Sequence, residues 1–556
     1  MNISEEVKKI VEGDVETSDE ILTAYSEDYS IFKVKPQAVV SPKNEKDIMA
    51  LVRFAAEKAL KNEPVSLTGR SAGTDMSGGP LSESLIVEFK KYFNHIREIH
   101  VPSFGAVQDN NSYAVVEPGV YFRDFEKELN KKGLLYPAYP ASKDLCALGG
   151  MVMNNSGGEK TLEYGKTEDY IEGLHVVLSD GEEHYLKPLS AGELKKKLAE
   201  EGFEGDIYRK LYKLIEDNYD AIKAAKPKVS KNSAGYYLWN VWDKKTFDIT
   251  KLIVGSQGTL GLMTAARLRL VKAKKYSRLA VMFAKSLDPV PALVKDILKF
   301  GPESIESYDD KTLGLAIKFL PAMLKMMKGS AVKLFFQFIP ELLMLVRGGL
   351  PKMVLLVQLT GDDERVLGDS MRQLEMAAKK YPVRVRLVAS EAGAEKYWTI
   401  RRQSFNLLHS HVKGMYAAPF IDDIIVDPKY MTEFLPQVNA ILDRYKDKFI
   451  YTIAGHPGNG NFHIIPLVDL KDEETRKLIP KITEEVYQLV FKYGGSITAE
   501  HNDGLIRTPY LEEMYGGKIV SLFAEVKKIF DPLNIFNPGK KVNPDMDYAL
   551  KHVKRV

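Results

Sequence analysis

The sequence predicts an α+β fold with at least two domains. At 556 residues the chain is longer than a single hydrophobic core usually serves. Residues 32–70 read as strand, turn, amphipathic helix and strand, and glycine-rich joints connect further short elements as far as about Val271. Beyond that point the apolar segments SRLAVMFA, KMVLLVQLTGDD and RVRLVAS alternate with helices near residues 291–299 and 371–380, which indicates an antiparallel sheet.

These patterns give expected domain limits. A helical lead-in is expected over residues 1–32, a first domain over 33–273, a second domain over 274–541 and a short tail over 542–556. We see no internal repeat and no long Pro/Ser-rich linker, so the domains are expected to pack tightly.

Composition excludes several classes of function. Hydrophobic residues make up 45% of the chain, and 78 basic residues against 75 acidic ones leave a net charge of +3, so nucleic acid is not an expected partner. The single cysteine, Cys146, excludes intrachain disulfides, cysteine-ligated iron–sulfur clusters and multi-thiolate zinc sites in this chain. Residues 1–20 contain interspersed acids and no apolar core of signal-peptide length, so we expect a cytoplasmic protein.

Residues 311–352 form a basic, apolar insertion in the second domain. Between Asp310 and Asp362 the only acidic residue is Glu341, set among lysines, arginines, Leu, Met and Phe. Charges interrupt every apolar run well short of the roughly 20 residues that a membrane span needs. We favour a pair of helices that closes the domain, with peripheral contact to an anionic membrane or docking of an electron-transfer partner as the alternative.

Three glycine-rich segments lie in the first domain, at residues 68–79, 136–158 and 254–261. The first, TGRSAGTDMSGG, follows a strand and offers successive backbone N–H groups with little side-chain bulk, an arrangement that can hold a pyrophosphate. It matches neither G-x-G-x-x-G nor the P-loop. A single glycine-rich segment of this kind more often forms a set of tight turns than a binding site. The three segments together suit one extended ligand.

Two histidines flank another glycine-rich stretch, GHPGNGNFH. His456 and His463 are seven residues apart, so on a straight strand they would face opposite sides, and they converge only if the chain turns back between them. Gly458, Gly460 and the asparagines there permit such a turn, and Asn461 is expected to stabilise it. For the pair alone, a surface turn with unrelated histidines is about as good an interpretation. Further on, Glu500 adds a carboxylate and completes a plausible two-imidazole, one-carboxylate metal set.

In ordered combination these motifs resemble a known family. Residues 70–74 (RSAGT), 140–142 (PAS), 148–150 (LGG), 154–157 (NNSG), 164–165 (YG) and 255–259 (GSQGT) look like the FAD-binding domain of the vanillyl-alcohol oxidase and p-cresol methylhydroxylase (PCMH) type. The C-terminal half resembles the FAD-linked oxidase cap shared by D-lactate, glycolate and D-2-hydroxyglutarate dehydrogenases. The likeness runs from about Pro36 to Lys541. It implies a two-subdomain PCMH-type FAD-binding domain followed by an antiparallel-sheet cap domain.

The resemblance also implies FAD contacts. They fall on Arg70, Ser71, Ala72, Gly73, Thr74, Pro140, Ser142, Leu148, Gly149, Gly150, Asn154, Ser156, Gly158, Ile171, Gly255, Gly258, Thr259, Asn537 and Lys540. Gln257 stands where the family more often has Glu, which makes a charge role doubtful. Residues 69–79 contain no histidine, and Cys146 is not placed as in members that bind FAD through two covalent bonds, so non-covalent FAD is expected.

Further roles follow from the resemblance. It assigns a divalent metal (Zn, Mn or Fe) to His456, His463 and Glu500, and the role of active-site base to His501. Arg401 matches a Trp-x-x-Arg pattern and is expected to bind the carboxylate of the substrate, because a guanidinium can contact both oxygens. Spacing alone does not separate Arg401 from Arg402, which can instead face solvent.

These assignments predict FAD-dependent oxidation of a D-2-hydroxy acid, D-lactate or D-2-hydroxyglutarate, to the 2-oxo acid. His501 would take the hydroxyl proton, the metal would lower the hydroxyl pKa, and the α-hydrogen would move as hydride to flavin N5. Electrons would pass to a separate acceptor: a quinone, a cytochrome or an electron-transfer flavoprotein. Other 2-hydroxyglutarate enzymes carry a Thr and a Lys that bind the distal carboxylate of the substrate. Near those positions this chain has Phe405 and no clear lysine. Arg507 is a speculative partner for that carboxylate.

Two other classes of function compete with this prediction. A non-redox transferase of the alkyl-dihydroxyacetone-phosphate synthase type would use the same two-domain plan, but Glu500 beside the paired imidazoles argues against it. A non-catalytic flavin-binding scaffold is weakened by the presence of polar groups for every catalytic role. The oligomeric state stays open, with a homodimer among the options.

Overall fold

The computed structural model describes residues 3–102, 111–318, 349–388, 390, 393–402 and 414–556. Within these ranges helices and sheets are mixed, as the predicted α+β class requires. Most of the basic insertion at 311–352 lies outside the described residues, as does Phe405. Among the helices of the described ranges, none is both long enough and apolar enough to cross a bilayer.

Two sheets form the first half of the chain. The smaller has the strand order β1-β2-β4-β3, and β2, β4 and β3 run parallel. The larger has the order β5-β6-β12-β8-β9 and is antiparallel throughout. Two short antiparallel pairs, β7 with β13 and β10 with β11, complete this half. The strands are β1 Asp14–Glu16, β2 Ala38–Ser41, β3 Leu67–Arg70, β4 Leu85–Glu88, β5 Ile96–His100, β6 Tyr113–Val116, β7 Leu134–Leu135, β8 Ile171–Val177, β9 Glu183–Leu186, β10 Leu189–Ser190, β11 Thr246–Phe247, β12 Leu262–Arg269 and β13 Val271–Lys272.

The second half contains the predicted antiparallel sheet. Its strand order is β17-β14-β16-β15-β20-β21-β18, and β19 also pairs with β21. The strands are β14 Tyr276–Ala284, β15 Ser304–Asp309, β16 Met353–Gly361, β17 Val383–Val388, β18 Tyr416–Ala417, β19 Ile424–Ile425, β20 Phe449–His456 and β21 Asn461–Val468.

Helices cover the sheets and join their strands. Helix Glu45–Leu60 illustrates how local sequence forms these helices. At its start the Asn44 side chain accepts a hydrogen bond from the backbone N–H of Asp47, and Ile48, Leu51 and Val52 are buried at helical spacing. The α-helices are Ile3–Val7, Asp19–Ala24, Glu45–Leu60, Phe122–Asn130, Leu148–Asn154, Thr161–Tyr164, Ala191–Ala199, Phe203–Asp217, Tyr219–Ala224, Thr250–Ile253, Val290–Leu298, Asp310–Lys318, Glu364–Ala378, Met431–Asp443, Glu473–Lys492, Gly504–Arg507, Leu511–Tyr515, Gly517–Phe530 and Met546–Lys551, and residues 393–402 are also helical. The 3₁₀ turns are Thr167–Asp169, Leu238–Asn240, Pro428–Tyr430 and Thr508–Tyr510.

The large sheet separates a helix-covered face from a face that borders a cavity. On β20 and β21 alternate side chains, among them Ile453, Phe462 and Ile464, join the core formed with the covering helices. The side chains between them, including Thr452 and Ile465, line the cavity. This alternation follows from the two-residue period of a strand, and it directs the polar residues of the hairpin toward the first half of the chain.

Both ends of the chain depart from the sequence expectations. The lead-in is only partly helical, because β1 joins the four-stranded sheet between its two short helices. Helix Gly517–Phe530 belongs by sequence to the expected second domain, yet Phe523 and Val526 lie in the core of the five-stranded sheet. Phe536 lies in the core of the four-stranded sheet. The C-terminal segment therefore ties the two halves together by apolar packing.

A candidate FAD and metal site

A cavity of about 500 Å³ lies where the loops of the first half meet the large sheet. All three glycine-rich segments reach it, represented by Gly73, Gly150 and Gly258. The hairpin β20–β21 contributes His456 and His463 from the opposite side. Parts of the chain that are far apart in sequence thus form one cavity, as the prediction of a single extended ligand requires.

The loop after β3 has the properties of a phosphate-binding nest. Within the described chain, the backbone N–H groups of residues 71–76 donate to no protein acceptor, although these residues line the cavity. Gly73 has φ of +70°, the left-handed conformation that allows successive N–H groups to converge. The Arg70 guanidinium donates to the carbonyls of Tyr25, at 3.0 Å, and Glu27, at 2.6 Å. Its side chain therefore anchors the loop, and the backbone remains to bind an anion.

Two adjacent glycines in the second segment have different surroundings. A Cβ on Gly149 would lie 2.5 Å from the Ser71 Oγ and 2.5 Å from the Pro118 Cβ, so only glycine permits this close approach of loops. A Cβ on Gly150 would meet nothing within 4 Å, because that position faces the cavity. Gly150 thus leaves its part of the lining free of side-chain bulk, which suits a flat ring system such as that of FAD.

Twelve of the nineteen expected FAD residues line the cavity. They are Arg70, Ser71, Ala72, Gly73, Thr74, Pro140, Ser142, Gly149, Gly150, Asn154, Ser156 and Gly258. Cys146 lines it too, which the sequence argument about covalent attachment did not anticipate. Burial raises the pKa of the Cys146 thiol to about 12, so little reactive thiolate forms at neutral pH.

The other seven expected FAD residues lie behind the lining. Leu148 and Ile171 are apolar core residues, because their side chains join the aromatic core of the five-stranded sheet. Gly158, Gly255 and Thr259 shape the loops: Gly158 donates to Thr161, Gly255 has φ of +77°, and the Thr259 hydroxyl donates to the Ser256 carbonyl.

Asn537 and Lys540 also support the cavity from outside. The Asn537 amide donates to the carbonyls of Gly79 and Gln257, and Lys540 donates to the carbonyl of Leu81. Lys540 lines a separate cavity. These two residues tie the C-terminal segment to the loops of the first half, as expected, without reaching the lining themselves.

The hairpin brings the two histidines together as the sequence predicted. His456 pairs with Asn461 across the strands, so His463, two residues beyond Asn461, lies on the same face. Gly460 has φ of +73° in the turn. The two Nε2 atoms are 3.2 Å apart, and the His456 Nε2 lies 3.6 Å from the Glu500 Oε1. Asn461 has a different task from the one expected: its amide donates to Asp423 and to the Ile424 carbonyl.

Both histidines present the same nitrogen to this cluster. The His456 Nδ1 contacts Glu306 at 2.5 Å, and the His463 Nδ1 contacts Asp422 at 3.2 Å. Metal-binding imidazoles characteristically donate a hydrogen bond from the N–H of their second nitrogen to a carboxylate in this way. The two Nε2 lone pairs and the Glu500 carboxylate are left facing one another, so this donor set fits a divalent cation.

A buried lysine also contacts the cluster. Lys231 is fully buried, and its ammonium forms a short ion pair with the Glu500 Oε1. Although burial works against the charge, Lys231 and His456 hold the pKa of Glu500 well below its usual range. The carboxylate is therefore ionised and able to act as a ligand. Sequence analysis missed Lys231, which precedes Glu500 by 269 residues.

A second grouping of possible ligands overlaps the first. Asp423, His463, Glu500 and His501 offer ligand atoms within 4.8 Å of one another. Asp423, however, accepts from the backbone N–H groups of Glu500 and His501 and from the Thr498 hydroxyl. Its remaining oxygen accepts from Asn461. Because these donors engage both oxygens of Asp423, the set with His456 is the better candidate.

His501 is held as a base would need to be. Its Nδ1 lies 2.7 Å from the Asp422 Oδ2, and its ring stacks on His463 with centroids 5.0 Å apart. The side chain is 22% exposed and lines the cavity. Burial opposes a charge on the ring, but Asp423 and Asp422 outweigh it and raise the pKa of His501 to about 9. The ring therefore has a high proton affinity, and it must lose the proton that it carries at neutral pH before it can accept one from a substrate.

Three arginines are candidates for binding the carboxylates of a substrate. Arg401 lines the cavity, and its Nε lies 3.0 Å from the Glu306 Oε2. Arg402 also lines the cavity and forms a two-point contact with the buried Glu159, at 2.7 and 3.2 Å, so the solvent-facing alternative is wrong. Arg507 is fully buried outside the lining and donates to the carbonyls of Asn502 and Asp422, which makes it unsuitable for a distal carboxylate.

Comparisons with known proteins agree with this architecture. Residues 36–187 match the FAD binding domain model, and residues 273–541 match the model "FAD linked oxidases, C-terminal domain". D-2-hydroxyglutarate dehydrogenase of Escherichia coli (strain K12) is 29% identical over 559 residues, covering 98% of this chain and 52% of that protein. D-lactate dehydrogenase of Archaeoglobus fulgidus is 26% identical over 558 residues, covering 98% of this chain and 99% of that protein. The chain thus spans about half the length of the first of these relatives.

Solved structures share the fold. A structure of p-cresol methylhydroxylase with substrate bound has a TM-score of 0.67 at 16% identity, covering 97% of this chain and 96% of that one. An alkyldihydroxyacetonephosphate synthase has a TM-score of 0.65 at 15% identity, covering 95% and 83%. The PCMH-type fold is confirmed. The chain therefore combines an FAD binding domain with the C-terminal domain of FAD-linked oxidases, and its likeness to the FAD-linked D-2-hydroxyacid dehydrogenases is confirmed.

Proposed function

We propose that this chain is an FAD-dependent dehydrogenase that oxidises a D-2-hydroxy acid, D-lactate or D-2-hydroxyglutarate, to the 2-oxo acid. The observation that carries the proposal is the cluster of two facing imidazoles and Glu500 in the same cavity as the glycine-rich nest. The relatives named for D-2-hydroxyglutarate and D-lactate support the substrate class.

The two bound groups have distinct tasks in this proposal. FAD along residues 70–74 and 149–150 would accept hydride, and a divalent cation on His456, His463 and Glu500 would acidify the substrate hydroxyl. The sequence leaves Zn, Mn and Fe as options for that cation. Electrons would then pass to a separate acceptor, a quinone, a cytochrome or an electron-transfer flavoprotein.

The side chains of the cavity supply binding and proton transfer. Arg401 would hold the carboxylate of the substrate, and its position beside the imidazole cluster would direct the hydroxyl toward His501. The negative charge of Asp422, 2.7 Å from the Nδ1 of His501, favours a proton on that nitrogen, so the Nε2 is the atom that would accept the hydroxyl proton. The apolar side chains of Ala454 and Ile465 also line the cavity and would restrict the access of water to a bound substrate.

Anaerobic reduction of the FAD-loaded protein tests the proposal. We expect D-lactate or D-2-hydroxyglutarate, but not L-lactate, to bleach the flavin absorbance. The variant His501→Ala should retain FAD and bleach about 10²- to 10⁴-fold more slowly, the usual contribution of a general base. His175→Ala is the matched control, because that imidazole lies on β8 outside the cavity lining.

Two outcomes would overturn parts of this proposal. If no 2-hydroxy acid reduces the flavin, the dehydrogenase function is wrong, and the non-redox transferase becomes the better hypothesis. If His501→Ala bleaches at the parental rate, the function stands and the base is misassigned.

A further inference from the structure

Two buried carboxylates lie beside the hairpin β20–β21, one on each side. Glu306 belongs to β15, which pairs with β20, and Asp422 lies two residues before β19, which pairs with β21. Their exposed fractions are 2% and 0%. A carboxylate buried this deeply is retained only with strong donors on its oxygens, so its partners define what it does.

Each carboxylate contacts two functional side chains through opposite oxygens. The Glu306 Oε1 contacts the His456 Nδ1, and its Oε2 contacts the Arg401 Nε. The Asp422 Oδ1 contacts the His463 Nδ1, and its Oδ2 lies 2.7 Å from the His501 Nδ1, an ion-pair contact without hydrogen-bond geometry. In both pairs one partner is an imidazole of the candidate cation site, and the other is a group assigned to the substrate.

We propose that Glu306 and Asp422 are positioning residues that each couple one cation-binding imidazole to one substrate-handling side chain. Glu306 joins the cation site to the carboxylate-binding arginine, and Asp422 joins it to the proton-accepting imidazole. This inference rests on the proposed function and extends it, because it gives the two halves of the cation site different tasks.

The geometry supports coupling rather than two independent contacts. The two oxygens of a carboxylate are fixed relative to each other, so a side chain that shifts one of them also shifts the other. Engaging the Nε of Arg401 orients the outer edge of the guanidinium, the edge that can bind a carboxylate through two bonds. The charge of Asp422 beside the Nδ1 of His501 favours the tautomer in which the Nδ1 holds the proton and the Nε2 accepts one.

The variants Glu306→Gln and Asp422→Asn test the coupling, because each keeps the shape of the side chain and removes the charge. Both should weaken Mn²⁺ or Zn²⁺ binding by about 10- to 100-fold in equilibrium dialysis of the FAD-loaded protein. Their kinetic effects should differ. Glu306→Gln should mainly raise KM for the hydroxy acid, by about tenfold or more, while Asp422→Asn should mainly lower kcat.

Asp309→Asn is the matched control. Asp309 is also buried on β15, but it accepts from the backbone N–H groups of Thr312 and Ile453 and touches none of the four functional side chains. Its variant should keep the parental metal affinity. Thermal unfolding and FAD content, measured on all three variants, reveal any loss of folding.

The outcomes separate this inference from the proposed function. If the parental protein binds no divalent cation and no hydroxy acid bleaches its flavin, the proposed function has failed. If the parental protein does both, and Glu306→Gln and Asp422→Asn keep parental metal affinity or show the same kinetic change as each other, the coupling is wrong while the function survives.

Discussion

At the scale of single residues, the charge around Glu500 would decide how the proposed site holds a cation. The Lys231 ammonium contacts the same Glu500 oxygen that lies 3.6 Å from the His456 Nε2. Lys231 therefore balances the buried carboxylate and also opposes the approach of a second positive charge. The lysine and a cation share one acidic partner, so losing the lysine should make the fold depend more on the cation.

The variant Lys231→Met tests this balance. Removing one partner of a buried ion pair leaves the other uncompensated, so the cation-free protein should lose about 3 kcal/mol of stability. Adding Mn²⁺ or Zn²⁺ should restore more of the melting temperature in this variant than in the parental protein. Thermal unfolding with EDTA and with metal gives both values, and the exposed Lys228→Met in the same loop is the control. Equal metal-induced shifts in the two variants would contradict the argument.

The residues proposed to contact ligands were easier to place from sequence than the residues that support them. His456, His463, Glu500, His501 and Arg401 all reach one cavity, because their types and local motifs carry chemical information. Their carboxylate partners carry no such signal. Glu306 and His456 are 150 positions apart, and Asp422 and His463 are 41 apart. Only the register of neighbouring strands brings them together, and one sequence does not show that register.

At the scale of elements, local patterns predicted what backbone geometry controls. The turn between the histidines was predictable from glycine and asparagine, and the alternating side chains of β20 and β21 then fixed which residues face the cavity. The helical lead-in was wrong in part, because β1 is recruited by pairing with β2, a contact between distant segments. Long-range pairing of this kind overrides local propensity.

The edge strand β9 carries His184, whose positive charge should stabilise the packing of this strand against its neighbours. The His184 ring contacts Asp180 at 2.9 Å in the turn before the strand and Glu204 at 3.1 Å in helix Phe203–Asp217. Burial opposes its charge, yet the two carboxylates outweigh burial and raise the pKa of His184 to about 9. The charged ring thus joins strand, turn and helix.

The raised pKa of His184 predicts that the free energy of unfolding depends on pH. Because the folded pKa is above the unfolded one, the stabilisation is complete below about pH 6.5 and is lost as pH rises through about 9. His184→Gln should therefore cost about 1 kcal/mol at pH 6, allowing for solvent screening, and much less at pH 10. Urea unfolding at the two pH values measures the difference. A cost that does not change with pH would mean that the ring acts only through packing.

At the scale of the whole molecule, the cavity depends on loops from several substructures approaching closely. Ser71 follows a strand of the four-stranded sheet, Pro118 follows a strand of the five-stranded sheet, and Gly149 lies in the helix that meets both. Asn537, from the far end of the chain, holds the carbonyls of Gly79 and Gln257 on the same side. FAD bound among these loops should stabilise the assembly, since a ligand that binds only the folded state shifts unfolding.

The variant Gly149→Ala tests whether this close approach is what binds FAD. The added methyl would lie 2.5 Å from the Ser71 Oγ and the Pro118 Cβ, and these loops must move apart to accept it. We expect at least about a tenfold loss of FAD affinity, the equivalent of about 1.4 kcal/mol, and a smaller rise in melting temperature when FAD is added. Gly192→Ala is the control, because that helix position has nothing within 4 Å of the added Cβ and lies outside the cavity lining.

FAD release, followed by fluorescence after gel filtration, should separate the two variants. If both keep FAD equally well, the contact between loops does not determine FAD binding, and the nest at residues 70–74 must act without it.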